Sequence, residues 1–124
     1  MIADSEGIGS EGESLLILAA TRGSSNVTRL LLDYGALPES RDNSGCTALM
    51  RAAQSGHVGV ISMLLECNAD TELHGASGST ALHFAAENGH SMVLQSLVSG
   101  KADMNAKDAN DRSALEITVT RGHR

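Results

Sequence analysis

The stretch "STALHFAAENGH", residues 79–90, places His83, Glu87 and His90 at positions i, i+4 and i+7. On one continuous helix these side chains would share a face. Two imidazoles and a carboxylate are a plausible metal-binding or acid–base set. Gly89 directly precedes His90, however, and glycine commonly follows the last turn of a helix. If the helix ends there, His90 lies in a turn and the three residues form no metal site.

The same stretch recurs along the chain with a period of 33 residues. The second unit has "TALMRAAQSGH" at residues 47–57, and the first has "SLLILAATRG" at residues 14–23. A fixed period of this length indicates stacked supersecondary units. The positions in register are glycines (Gly23, Gly56, Gly89, Gly122), alanine pairs (Ala19 and Ala20, Ala52 and Ala53, Ala85 and Ala86), leucines (Leu16, Leu49, Leu82, Leu115) and hydroxyl residues (Ser14, Thr47, Thr80, Ser113).

Each unit predicts two helices joined by a glycine. The hydroxyl residue can cap a short Leu/Ala-rich helix, predicted over residues 48–55 and 81–88. A longer helix follows, with apolar residues at i, i+1, i+4 and i+5, which form one face. One such pair cannot bury its apolar face alone, whereas stacked pairs can. In the third unit the apolar residues are Val93, Leu94, Leu97 and Val98.

Taken together, these motifs resemble the ankyrin repeat family. The resemblance covers roughly residues 9–124 and rests on the 33-residue period and on "TALHFAAENGH", "TALMRAAQSGH", "LLLDYGA", "LLECNAD" and "LVSGKADMNAKD". It implies an L-shaped, all-α solenoid of stacked helix–turn–helix pairs with β-turn or hairpin-like fingers. It also implies a concave face, made of the fingers and the short inner helices, that binds other proteins.

The predicted organisation is a flexible acidic N-terminal tail at residues 1–13 and an ankyrin repeat domain at residues 14–124. The tail carries four acidic residues and no basic one, a composition typical of flexible segments. The last unit lacks its second helix, so either the chain is a fragment of a longer protein, which we favour, or its end is frayed. The predicted units span residues 9–41, 42–74, 75–107 and 108–124.

The histidines in these motifs are interpreted as structural. His57 and His90 each follow the repeated glycine, and the resemblance implies that they hydrogen-bond backbone groups between neighbouring units. It also implies that Thr80 and His83 tie the turn to the short helix. No catalytic motif is found, so we expect no enzyme activity, no metal and no cofactor. The residues interpreted as structural are Thr80, His83, His57, His90, Gly56 and Gly89.

The predicted partner-binding residues lie on the turns and on the exposed side of the short helices. They vary from copy to copy over a fixed core, as expected of a recognition surface. Both ends of the set are basic, so a partner with acidic ends is one hypothesis. Cys46 is either a small residue with no binding role or a reactive thiol that contacts the partner protein. The set is Thr21, Arg22, Arg41, Asn43, Ser44, Cys46, Gln54, Ser55, His74, Ser77, Ser79, Glu87, Asn88, Lys107, Asn110, Arg112 and Arg121.

Composition narrows the partner class and the compartment. Residues 14–124 carry 11 acidic and 9 basic residues, and the chain has one Phe, one Tyr and no Trp, so we expect no nucleic-acid binding. No apolar run reaches the ~20 residues of a membrane span, and the N-terminus has no secretory signal. Cys46 and Cys67 are interpreted as reduced thiols, a disulfide being unsupported. We expect an intracellular monomer in the cytoplasm, with the nucleus as an alternative.

Two alternatives remain open from the sequence. Asn105, in "ADMNAKD", resembles the loop asparagine that is hydroxylated in some ankyrin repeats, or it simply stabilises its loop. The function is either that of a scaffold that binds a partner protein, or that of a structural or regulatory segment of a larger ankyrin-containing protein, with mainly intramolecular contacts.

Overall fold

The computed structural model describes the backbone of residues 9–120 and the side chains of residues 15–75 and 77–120. Within residues 9–120 there is no strand, and a single 3₁₀ turn occupies Ala76–Gly78. The predicted short helices at 48–55 and 81–88 are present to within one residue. The α-helices are α1 (Gly9–Arg22), α2 (Ser25–Asp33), α3 (Ala48–Ser55), α4 (Val58–Glu66), α5 (Ala81–Glu87), α6 (Ser91–Ser99) and α7 (Ala114–Thr120).

The helices form two layers that are stacked in chain order. The inner layer runs α1, α3, α5, α7, and each helix contacts the next. The outer layer runs α2, α4, α6 in the same way, and each outer helix also packs on the inner helix that precedes it. Because the main contacts join neighbouring units, the fold is an all-α repeat solenoid, as the sequence predicts.

The core is thin and aliphatic. The alanine pair of α3, Ala52 and Ala53, is completely buried, as is Ala85 of the next inner helix. Small side chains on the inner layer let neighbouring helices approach closely, while Ile61 and Leu97 from the outer layer fill the remaining space. This arrangement explains how the chain builds a core with almost no aromatic residues.

The helix boundaries have local causes. Thr47 caps α3, since its side chain accepts a hydrogen bond from the Met50 N–H, and Thr80 caps α5 in the same way. Gly56 ends α3 in the left-handed conformation, with φ at 82°, which glycine adopts without steric cost. The hydroxyl and glycine columns of the sequence therefore mark where α3 and α5 begin and end.

Helix α1 begins earlier than predicted. It starts at Gly9, so the prediction of a flexible segment is wrong for residues 9–13. Once the Leu/Ala-rich segment is helical, extending the helix adds one hydrogen bond for each residue that is ordered, and this favours the helix over a free coil. Residues 1–8 of the predicted tail and residues 121–124, including Arg121, lie outside the described part of the chain.

Candidate protein-binding surface

Three turns project from the same side of the array, and we call them the fingers: residues 42–46, 75–79 and 108–112. Each closes with the same backbone hydrogen bonds, as in the Asp42 N–H to Cys46 O bond of 2.9 Å and the Gly45 N–H to Asp42 O bond of 2.9 Å. The repeats therefore place three equivalent turns in a row. Together with the exposed sides of α3, α5 and α7, the fingers form what we call the inner surface.

The first and third fingers are each held by a buried or half-buried aspartate. Asp42 Oδ1 accepts hydrogen bonds of 2.9 Å from the backbone N–H groups of Ser44 and Cys46. Asp108 Oδ1 does the same for Asn110 and Arg112, also at 2.9 Å. Each carboxylate thus satisfies two backbone donors that the turn would otherwise leave unpaired.

These hydrogen bonds control the ionisation of both aspartates. Burial raises the pKa of Asp42, but backbone hydrogen bonds and the Arg51 guanidinium, 2.8 Å away, outweigh burial and hold the pKa below its ordinary value. Burial also raises the pKa of Asp108, but backbone hydrogen bonds and the Arg112 guanidinium outweigh burial and lower this pKa. Both side chains are therefore charged at neutral pH and act as turn clamps.

The second finger is built differently, because Gly75 stands where the other two have aspartate. A Cβ on Gly75 would collide with the sulfur of Met50 and lie 3.3 Å from Cys46 Sγ. The side chains of the second unit thus occupy the space that a clamp would need. His74 makes a different contact to this finger, with Nδ1 2.6 Å from Gly78 O.

Neighbouring fingers are joined directly. Arg41 Nη1 donates to Gly45 O and to His74 O, both at 2.7 Å, and so links the first finger to the second. The Ala109 N–H donates to Ser77 O at 3.0 Å and links the second finger to the third. The row of fingers is consequently a connected frame and not three independent loops.

A polar pocket opens on the inner surface between the second and third fingers. Its volume is about 390 Å³. Arg112 spans one wall, since its Nη2 lies 2.9 Å from Asp108 Oδ2 and 3.1 Å from Glu87 Oε2. The half-buried ring of Phe84 supplies apolar area. The lining residues are Gln54, Ser77, Ser79, Phe84, Glu87, Asn88, Asn110 and Arg112.

The structure brings most of the predicted partner-binding residues to the inner surface or its edges. Within the described part of the chain, Thr21, Gln54, Glu87 and Arg112 are half-buried. Arg41 and Arg112 are both engaged in bonds within the fold, which weakens the hypothesis of a partner with acidic ends. The exposed members of the set are Arg22, Arg41, Asn43, Ser44, Ser55, His74, Ser77, Asn88, Lys107 and Asn110.

Two of the predicted residues are buried. Cys46 is 0% exposed and Ser79 is 6% exposed, so the prediction of an exposed side chain is wrong for both. They occupy the same repeat position, directly before the threonine cap, where the finger turns back into the array. Cys46 Sγ lies beneath the next finger, close to Gly75, while Cys67 is exposed and both thiols are free.

Some residues that shape the surface were missed from the sequence. Asp42 and Asp108 stand at the same repeat position, two copies apart, each five residues before a helix cap. That recurrence is a usable signal for a clamped turn. Phe84 and Arg51 had no such signal, because they occupy a position that changes in each copy and only the packed array shows where their side chains lie.

The histidines have the structural bonds that the resemblance implied. Thr80 and His83 form a capping box, and His83 Nε2 reaches Arg112 O at 2.8 Å. His90 Nε2 lies 3.0 Å from Gln54 O, and His57 Nε2 lies 3.0 Å from Thr21 O. His83 thus bonds to the following unit and His90 to the preceding one, so they do not converge. No group of three metal-binding side chains occurs among the described residues.

Asn105 lies in an exposed loop after α6, and its backbone N–H donates to Asp103 Oδ1 at 2.9 Å. Hydroxylation of its side chain stays a prediction. Among the described helices, none combines the length and the hydropathy that crossing a lipid bilayer would require.

Comparison with known proteins agrees with this architecture. The family model described as "Ankyrin repeats (3 copies)" matches residues 2–74, and the model "Ankyrin repeat" matches residues 77–109. A search of the curated proteins found no match. Ankyrin repeats are generally protein–protein interaction modules and are typically non-enzymatic. On the strength of its repeat, its fold and these matches, the chain belongs to the ankyrin repeat family.

Proposed function

We propose that this chain is a scaffold that binds a partner protein through its inner surface, the face that the family resemblance marks as concave. One observation carries the proposal. Exposed polar side chains that differ between copies, such as Ser55 and Asn88 or His74 and Lys107, stand on a frame whose repeated residues are buried or hydrogen-bonded. Variable side chains on a fixed frame are what a recognition surface requires.

The polar pocket suits a segment of polypeptide. Side-chain amides of Gln54, Asn88 and Asn110 offer both donors and acceptors for a peptide backbone. Phe84 offers an apolar surface next to them, and aromatic residues are enriched at binding interfaces. We therefore propose that the pocket takes an extended loop or strand of the partner and not a small-molecule ligand.

The connected frame supports this use. Because Arg41 and the Ala109 N–H bond join the fingers, little conformational freedom remains for binding to remove. Preorganisation of this kind raises affinity by lowering the entropic cost of association. We also propose a monomer acting in the cytoplasm. The exposed free thiol of Cys67 supports a reducing compartment.

The test compares partner capture by matched variants. Asn88→Arg and Asn110→Arg place bulky cations at the exposed rim of the pocket, whereas Ser62→Arg places one at an exposed residue of α4, in the outer layer. Proteins captured by each immobilised chain are quantified by mass spectrometry, and circular dichroism checks that helicity is unchanged. We expect a partner that the first two variants lose and the third retains. If the captured proteins still bind all three variants, the inner surface is not the binding site.

A further inference from the structure

The polar pocket between the second and third fingers carries more negative than positive charge. Glu87 and Arg112 are its charged lining residues, and 3.1 Å separates Glu87 Oε2 from Arg112 Nη2. The same Nη2 lies 2.9 Å from Oδ2 of Asp108, whose side chain is buried. One cation is therefore shared between two carboxylates. Two negative charges against one positive charge leave this wall of the pocket with a net charge of −1.

Neighbouring charged residues do not reverse this sign. Arg51 Nη1 donates to Gln54 Oε1 at 2.8 Å, but the Arg51 guanidinium is paired with Asp42, also at 2.8 Å, so this pair adds no net charge. Asp111, which is exposed in the third finger, adds a further negative charge. Arg41 is bonded to the first finger and does not line the pocket. The pocket therefore attracts a cation more strongly than an anion.

Helix α5 places an aromatic ring beside the carboxylate. Glu87 and Asn88 follow Phe84 by three and four positions, so the three residues share one face of the helix. The Phe84 ring is half-buried and lines the pocket. Asn88 Nδ2 donates to Phe84 O at 2.9 Å, which leaves Oδ1 of the same amide as an acceptor at the rim. A π-face, a carboxylate and an amide oxygen together suit a guanidinium group.

We propose that the polar pocket binds an arginine side chain carried by the partner's extended segment, an inference that rests on the proposed function. The guanidinium stacks on the Phe84 ring and donates hydrogen bonds to Glu87 and to Asn88 Oδ1. Glu87 can take part while it is paired with Arg112, because a carboxylate accepts up to about four hydrogen bonds. Arginine fits better than lysine, since its planar group is more weakly hydrated and stacks on aromatic rings.

Three short peptides test the chemistry of the bound side chain. Each is a glycine chain, acetylated and amidated at its ends, with arginine, lysine or citrulline at its centre. Citrulline keeps the shape of arginine but carries no charge, so it isolates the contribution of the cation. The peptides are titrated onto the ¹⁵N-labelled protein, and amide shifts are followed by NMR. We expect saturable shifts at Phe84, Glu87 and Asn88 with the arginine peptide, weaker binding of the lysine peptide, and binding of the citrulline peptide that is at least about tenfold weaker.

Variants of the protein test the residues of the pocket. Glu87→Gln removes one negative charge, and we expect the fold to tolerate it, because Gln54 stands at the same position of the preceding unit. It should weaken binding of the arginine peptide about threefold or more. Phe84→Leu keeps every charge but removes the π-face, and it should also weaken binding. Glu66→Gln is the matched control, because Glu66 also pairs with an arginine but lies on the outer helix α4, and it should leave binding unchanged.

Three results would overturn this inference. The first is an arginine peptide that produces no saturable shift at the pocket. The second is a citrulline or lysine peptide that binds at least as tightly as the arginine peptide. The third is binding that Glu87→Gln and Phe84→Leu both leave unchanged. None of these results contradicts the proposed function, which fails instead when the captured proteins still bind Asn88→Arg and Asn110→Arg.

Discussion

The imidazole of His90 lies directly against Gly56, 34 residues earlier in the chain, where a side-chain methyl group would come within 2.8 Å of the ring. The same ring reaches Gln54 O through Nε2 at 3.0 Å. The next unit is thus fastened to the end of α3 by both packing and a hydrogen bond. His57 and Gly23 repeat the arrangement one unit earlier. The glycine and histidine columns of the sequence are therefore two halves of one contact.

Gly56→Ala should destabilise the array for two reasons. Its φ of 82° is unfavourable for alanine, and the new methyl group meets His90. Gly45→Ala is the matched control, because Gly45 has the same φ of 82° and no described atom within 4 Å of an added Cβ. We expect Gly45→Ala to cost about 1 kcal/mol and Gly56→Ala to cost at least ~1 kcal/mol more. Urea denaturation measures both, and equal losses would contradict the packing role of His90.

Met50 and Gly75 should be energetically coupled. Gly75→Asp alone drives a side chain into the Met50 sulfur, so we expect a loss of about 1–3 kcal/mol. With Met50→His added, the two positions carry the residues that stand one repeat later, His83 and Asp108. We expect the double variant to recover at least ~1 kcal/mol relative to the sum of the single changes. A double-mutant cycle without coupling would show that the two positions do not share this space.

Thr28→Val should stabilise the protein. The Thr28 side chain is 0% exposed, and its hydroxyl has no hydrogen-bond partner among the described residues. Removing an unpaired buried hydroxyl while keeping the shape should gain about 1 kcal/mol. Thr80→Val is the contrasting variant, because the Thr80 hydroxyl caps α5 and its loss should lower the melting temperature. A fall in melting temperature for Thr28→Val would mean that its hydroxyl is satisfied.

The turn clamps should make stability depend on pH in the acidic range. The pKa of Asp108 is lower in the folded protein than its ordinary value. A lowered pKa contributes stability that is complete above the unfolded pKa, near 4, and is lost as the pH falls through the folded value. We expect the stability difference between the wild type and Asp108→Asn to be largest above about pH 5 and to shrink below about pH 4. A difference that is constant from pH 3 to 7 would exclude the carboxylate as its source.

The two cysteines should react at very different rates. Cys67 is exposed, whereas Cys46 is 0% exposed beneath the second finger. A maleimide reagent should label one thiol rapidly in the native protein and two in denaturant, since burial blocks access. Peptide mapping by mass spectrometry identifies the labelled site. Rapid native labelling of Cys46 would place its side chain at the surface.

Much of the frame was predictable, because it depends on residues that recur. Thr80, His83 and Gly56 act within or next to one helix, so their roles follow from helix capping and from the period. The surface was less predictable. Cys46 was expected to be exposed because it lies in a turn, but a turn residue next to a helix cap can face inward, and its exposure is set by the finger of the next unit.

The sequence by itself determined the all-α repeat and the boundaries of α3 and α5. These features depend on periodicity and helix capping, which are specified by residues close together in the chain. Only the tertiary structure decided how the fingers are joined and where the polar pocket opens. Those features arise between units, from side chains about 30 residues apart that vary from copy to copy. Their positions are set by what the neighbouring unit leaves vacant, as Gly75 leaves room for Met50.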